Sequence, residues 1–105
     1  MQSAYAESFE RVMTCTVADW LRLLPSAIGE HAFVLTDGAA TIQLGAASTP
    51  SRASLCIRWR EAPERCIALV RLPQLNVSFQ FDNSNATERL VFMQRFDLFM
   101  QRGGG

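Results

Sequence analysis

Ser54-Leu-Cys-Ile-Arg-Trp-Arg-Glu-Ala-Pro-Glu-Arg-Cys-Ile-Ala-Leu-Val-Arg-Leu-Pro-Gln-Leu-Asn-Val-Ser-Phe-Gln-Phe-Asp82 is the stretch that decides the fold. Its apolar residues recur every second position, the period of a strand with one buried face. Leu55, Ile57 and Trp59 point one way, and Ser54, Cys56, Arg58 and Arg60 the other. Ala62-Pro63 is read as a turn that sets Trp59 opposite Cys66, Ile57 opposite Ala68 and Leu55 opposite Val70. Beyond Leu72 the phase flips, from even-numbered Cys66, Ala68, Val70 and Leu72 to odd-numbered Leu75, Val77, Phe79 and Phe81. Pro73-Gln74 is therefore either a tight turn, which sets Arg65 opposite Asp82, or a bulge in one long bent strand. Proline suits the primed hairpin turns poorly.

Upstream, the same period runs through Phe33 and Leu35, breaks at Asp37-Gly38, and resumes at Ala40, Ile42 and Leu44. That is a hairpin with an Asp-Gly type I′ turn, Leu35 facing Ala40 and Phe33 facing Ile42. His31 falls on the core side at the strand end. Gly45 to Arg52 reads as a loop. Ser8 to Cys15 alternates more loosely as a first strand, Arg11 interrupting an apolar side of Phe9, Met13 and Cys15.

Two stretches are helical. Thr16 followed by Asp19 can cap a helix start, and Val17, Trp20, Leu21 and Leu24 follow at helical spacing, with Pro25 expected to end or kink the helix near Leu24. After the turn residues Asp82-Asn-Ser-Asn85, Asn85 and Glu88 cap a helix from about Ala86 to Gln101. Its apolar arc holds Ala86, Leu90, Phe92, Met93, Phe96, Phe99 and Met100. Gly103-Gly104-Gly105 is read as a flexible tail.

The expected architecture is one α+β domain over residues 1–102, with order β-α-β(4-5)-α. A curved antiparallel sheet would carry a long C-terminal helix on one face. This element order resembles a shortened version of the helix-grip arrangement of START-like lipid-binding and polyketide-cyclase-like domains. It is more loosely similar to TBP-like folds. The resemblance lies in element order, with no shared motif.

Composition narrows the function. The chain has 105 residues, 49% of them hydrophobic, with ten acidic and ten basic residues, and every basic one is arginine. Without lysine there is no Schiff-base lysine, Walker lysine or lysine general base. Zero net charge argues against nucleic acid as a partner. No apolar run approaches the roughly 20 residues of a membrane span. The N-terminus lacks a basic segment followed by an apolar one, so no secretory signal is read there. Cys15, Cys56 and Cys66 form no C-x-x-C pair and read as mostly buried, reduced thiols, which gives a cytoplasmic expectation. One histidine and no cysteine cluster make a metal improbable, and no cofactor is expected.

Two groups of residues are candidates for binding. A helix laid over a curved sheet can enclose an apolar groove, here lined by Trp59, Phe79, Phe81, Phe92 and Phe96. Arg89 and Asp97 fall within or beside the helix's apolar arc. A carboxylate there must be solvated, paired or protonated, and a sheet arginine or the Trp20 indole are the partners considered for it. On the sheet's second face, Arg58, Arg60, Arg65 and Arg71 surround Cys56, Ile67 and Leu69. An apolar centre rimmed by arginine suits a protein interface, and a homodimer is expected through it. The favoured reading is a binding or interaction module, with or without a small apolar ligand in the groove. The alternative is a small cyclase- or hydrolase-like enzyme using Asp97, Arg89 or His31 in that groove. No recognisable set of nucleophile, base and orienting group is present to favour it.

Overall fold

The computed structural model describes residues 4–45 and 52–102. The glycine tail and most of the Gly45–Arg52 loop lie outside the described residues. In chain order the elements are β1 (Ser8–Met13), α1 (Val17–Ile28), β2 (Phe33–Thr36), β3 (Ala39–Gln43), β4 (Ser54–Ile67), β5 (Val70–Asp82) and α2 (Ala86–Arg102). The strands form one antiparallel sheet in the order β1-β5-β4-β3-β2. β1 therefore sits at one edge and β2 at the other, and α1 carries the chain between them. The fold is α+β.

Local chemistry explains the element boundaries. Thr16 Oγ1 accepts from the Asp19 amide at 3.1 Å to start α1. Asn85 and Glu88 complete a reciprocal cap on α2: the Glu88 amide donates to Asn85 Oδ1 at 2.8 Å and the Asn85 amide to Glu88 Oε1 at 3.0 Å. The β2–β3 hairpin pairs Phe33 with Ile42 and Leu35 with Ala40, as the alternation requires. Its turn departs from the expected type I′: Gly38 has φ 74°, whereas Asp37 keeps a negative φ. Glycine alone carries the left-handed conformation and spares the aspartate its steric penalty.

Pro25 does not end α1. The helix runs to Ile28, with Pro25 on its exposed side and the Gly29 amide closing onto the Pro25 carbonyl at 3.0 Å. Continuing buries Ala27 and Ile28 on the same face as Trp20 and Leu24. That packing outweighs one missing backbone hydrogen bond.

The larger correction concerns the deciding stretch. Ala62-Pro63 is not a turn, and neither is Pro73-Gln74. β4 and β5 form one long hairpin joined by Ala68 and Leu69, pairing Leu55 with Phe81, Ile57 with Phe79 and Trp59 with Val77. Arg60 faces Asn76 and Arg65 faces Leu72, so the expected Arg65–Asp82 pairing does not form. Along β5 the alternation is unbroken, so Val70 and Leu72 lie on the face opposite Leu75 and Val77, and the irregularity is a bulge in β4. Between Ala62↔Gln74 and Arg65↔Leu72, β4 spends one residue more than β5. Pro63 and Pro73 both lie in this interval, and neither has an amide to give to the ladder. The two features that mimic turns in the sequence are thus one irregularity inside a hairpin.

Both helices cover the same sheet face. Phe79 meets Phe96 edge-to-face at 5.6 Å, Phe81 meets Phe92 at 6.4 Å, and Trp59 meets Trp20 of α1 at 5.6 Å. The other face, carrying Cys56, Arg58, Arg60, Asn76, Ser78 and Gln80, has no helix over it among the described residues. No helix among the described residues is long and apolar enough to cross a membrane.

Candidate functional site

The residues expected to line a groove between sheet and helix form the core. Phe79 and Phe81 are 1% exposed and Phe96 is 0%, and Phe92 and Trp59 are also buried. Their ring faces and edges are taken up by one another, by Trp20 and by Phe9, which stacks on Phe79 at 4.8 Å. His31 rests against this layer, its ring 5.6 Å from Phe92.

Asp97 and Arg89 are held by protein groups. Arg11 interrupts the apolar side of β1, and Asp97 interrupts that of α2. The two interruptions meet: Arg11 donates to both carboxylate oxygens, at 2.6 and 3.1 Å, and the Tyr5 hydroxyl donates to Asp97 Oδ2 at 2.7 Å. The guanidinium lies over the rings of Phe9 and Phe79 at 5.4 and 5.3 Å. Burial disfavours the charge on Arg11, but the bond to Asp97 and its field outweigh this and hold the guanidinium more firmly protonated than usual. Arg89 donates from Nε to the Tyr5 carbonyl at 2.9 Å and from Nη1 to Ser84, clamping the N-terminal segment to the β5–α2 turn. The partner of Asp97 is a sheet arginine, not the Trp20 indole. Trp20 Nε1 is buried without a hydrogen-bond partner among the described residues.

The uncovered sheet face has an open concavity of about 650 Å³. Arg58, Arg60, Glu10, Val12, Asn76 and Ser78 line it, with Asp37 of the β2–β3 turn at its side. The cross-strand rows Glu10–Ser78–Arg58–Ala39 and Val12–Asn76–Arg60 place these side chains together. Among the described residues, the ion pairs involve Arg11, Arg22 and Arg89, not Arg58 or Arg60.

Beyond this concavity the long hairpin projects alone. β1 ends opposite Leu75 and β3 begins opposite Arg58, so among the described residues β4 and β5 have only each other as strand neighbours from Glu61 and Gln74 outward, with the Gln74 side chain donating to Thr14 Oγ1 at 3.1 Å at the base. Fourteen residues of β4 span roughly 45 Å at about 3.3 Å each, matching the molecule's 51 Å long axis. Leu69 at the tip is 100% exposed, and Ile67 and Val70 are about half exposed. By alternation along β5, Arg65 and Ile67 share the face of Arg58 and Arg60. Arg71 does not: it pairs with Cys66 on the ribbon's other side, and Leu69 lies in the turn. The expected arginine-rimmed patch is thus divided between the sheet centre and an arm. The arm itself was missed, because Ala68-Leu69 carries no turn chemistry.

The cysteines are less uniformly buried than expected. Cys15 is buried, Cys56 is half-buried, and Cys66 is exposed because it lies on the arm. Burial, and then the charge of Asp19, push the Cys15 thiol above its usual 9.0. Timed alkylation of the native protein at pH 8, followed by peptide mass spectrometry, should label Cys66 first and Cys15 at least about tenfold more slowly. Equal rates would contradict this burial. Among the described residues, no group of three or more His, Cys, Asp or Glu is placed to hold a metal ion.

Compared with models of known families, with curated proteins and with solved structures, the chain has no significant match.

Proposed function

We propose that this chain is a non-enzymatic interaction module that docks a protein partner on its uncovered sheet face and projecting arm. The observation that carries this reading is the arm: a two-stranded ribbon without lateral strand neighbours among the described residues, ending in exposed Ile67, Leu69 and Val70. Isolated two-stranded ribbons are marginal in water, and contiguous exposed apolar groups favour cover. Arg58 and Arg60, without an ion pair among the described residues, lie beside the concavity and supply the arginine enrichment of protein interfaces. A ligand between sheet and helices would have to displace packed rings. An enzyme there would use Asp97, Arg89 or His31; the first two are engaged by protein groups, and the His31 ring packs against Phe92. Element order supports a small helix-grip or TBP-like arrangement, and free thiols support a reducing, cytoplasmic setting.

A photo-crosslinking amino acid placed at Leu69 or Arg60 tests the proposal, with Val91 on the exposed side of α2 as the control. In cells of origin, the first two positions should give discrete crosslinked species and the third should not. A product of twice 11.7 kDa would identify a second copy on this face, and any other mass a different protein. No product from Leu69 and Arg60, or equal yield from Val91, would overturn the reading.

A further inference from the structure

We propose that β2 is a self-complementary edge through which a second copy of this chain extends the sheet, β2 against β2 and antiparallel, with Val34 on the twofold axis. This edge is separate from the uncovered face, and the inference does not depend on what docks there.

β2 is the last strand in the sheet order and has no outer neighbour among the described residues. The Ala32 carbonyl accepts from the Gln43 amide at 2.8 Å, which aims residue 32 at β3. Antiparallel pairs alternate between hydrogen-bonded and non-bonded, so 34 and 36 also face β3 while Phe33 and Leu35 turn their N–H and C=O outward. The side chains are equally uncovered: Val34 is 64% exposed, Leu35 50% and Phe33 36%. Natural edges are usually blunted by charge, proline or a bulge. β1, at the opposite edge, carries Glu10 and Arg11; β2 reads Phe-Val-Leu-Thr, with no charge, no proline and no shift in register.

The hydrogen-bonding pattern makes the edge self-complementary and selects the register. A new strand can bond only to the outward groups of Phe33 and Leu35. In a symmetric pair these must therefore meet Phe33 or Leu35 of the partner. Centring the axis on Phe33 or on Leu35 uses one of the two residues against its own copy and leaves the other beyond the strand. Centring it on Val34 sets Phe33 against the partner's Leu35 and Leu35 against the partner's Phe33, bonding both. The same register lays Val34 against the partner's Val34 on the open face. Apolar groups meet apolar groups along the seam. An isologous twofold contact of this kind closes on itself.

The test is sedimentation of the full chain between about 1 and 300 μM, repeated with Val34→Lys. The wild type should reach twice the 11.7 kDa chain mass. Two lysines facing each other across the axis should raise the dissociation constant on the order of 100-fold. Val34 is on the open side and already exposed, so circular dichroism should show the fold retained. Independently of any folding defect, Val34→Cys in a Cys56→Ser, Cys66→Ser background should form a covalent dimer under mild oxidant. Val12→Cys on the opposite edge should not. A wild type that stays monomeric at 300 μM would overturn the proposal. So would a dimer indifferent to Val34→Lys but abolished by Leu69→Asp, or oxidation that joins the Val34→Cys chain only to a different protein.

Discussion

Phe96→Ala is expected to lower the unfolding free energy by about 3–5 kcal/mol, the range for truncating a fully buried aromatic. Phe96 is the point where three elements meet: its ring lies 6.0 Å from Trp20 of α1, 5.6 Å from Phe79 of β5 and 5.8 Å from Phe92 on its own helix. None of these neighbours can move in without leaving another contact, so the void stays open and the cost stays near the top of the range. Domains of this size hold on the order of 5–15 kcal/mol, so the variant should unfold at far lower urea. Val91→Ala on the exposed side of the same helix should change stability by less than about 0.5 kcal/mol. Urea titration followed by far-ultraviolet circular dichroism checks both. A loss at Phe96 below about 1 kcal/mol would mean that the space between sheet and helix is adaptable, as a ligand cavity would be.

Breaking the Arg11–Asp97 pair should cost about 2–3 kcal/mol from either side, because the survivor is left charged and only partly solvated. The side chains are 24% and 22% exposed, which places the pair below a fully buried one and well above a surface ion pair. Arg11→Met combined with Asp97→Leu and Tyr5→Phe should recover most of the loss, since three apolar groups of similar volume need no partner and no hydroxyl is left without its acceptor. A double-mutant cycle in urea reads the coupling; additive single losses would show that the two side chains act separately. Tyr5 adds a dependence on pH. Burial, and then the bond donated to Asp97, raise its hydroxyl above the ordinary 10.0. The unfolded chain then ionises first, so the contribution of Tyr5 is complete below pH 10 and erodes as pH climbs through the folded value. Tyr5→Phe should flatten that alkaline decline.

The features legible in the sequence are those set by neighbours in the chain. The Thr16 and Asn85 caps, the Asp37-Gly38 hairpin and its register, and the buried arc of α2 each depend on residues a few positions apart. Arg11 and Asp97 stood out as interruptions of two apolar faces, but their match spans 86 positions and nothing local announces it. The β4–β5 connection misled for the opposite reason. Ala62-Pro63 and Pro73-Gln74 carry turn chemistry that belongs to a bulge, whereas the true turn, Ala68-Leu69, uses an alanine at φ 53° where glycine is the usual choice. Alternation placed Cys56, Arg58 and Arg60 together on the uncovered face. It could not show that β2 ends the sheet, because strand order is a property of the whole assembly.

Trp20 and Trp59 are the chain's two tryptophans, and they lie 5.6 Å apart with one in α1 and the other in β4. β2 through β5 are joined to their sheet neighbours by consecutive connections. β1 must instead find β5 across more than 60 positions, and α1 travels with it. The crossover is therefore the slow, entropically costly closure in the assembly of this fold. It is also the step that brings the two indoles together in a dry environment. The chain thus carries an intrinsic optical clock: in stopped-flow refolding, the change in tryptophan emission times the arrival of the amino-terminal third on an already formed meander.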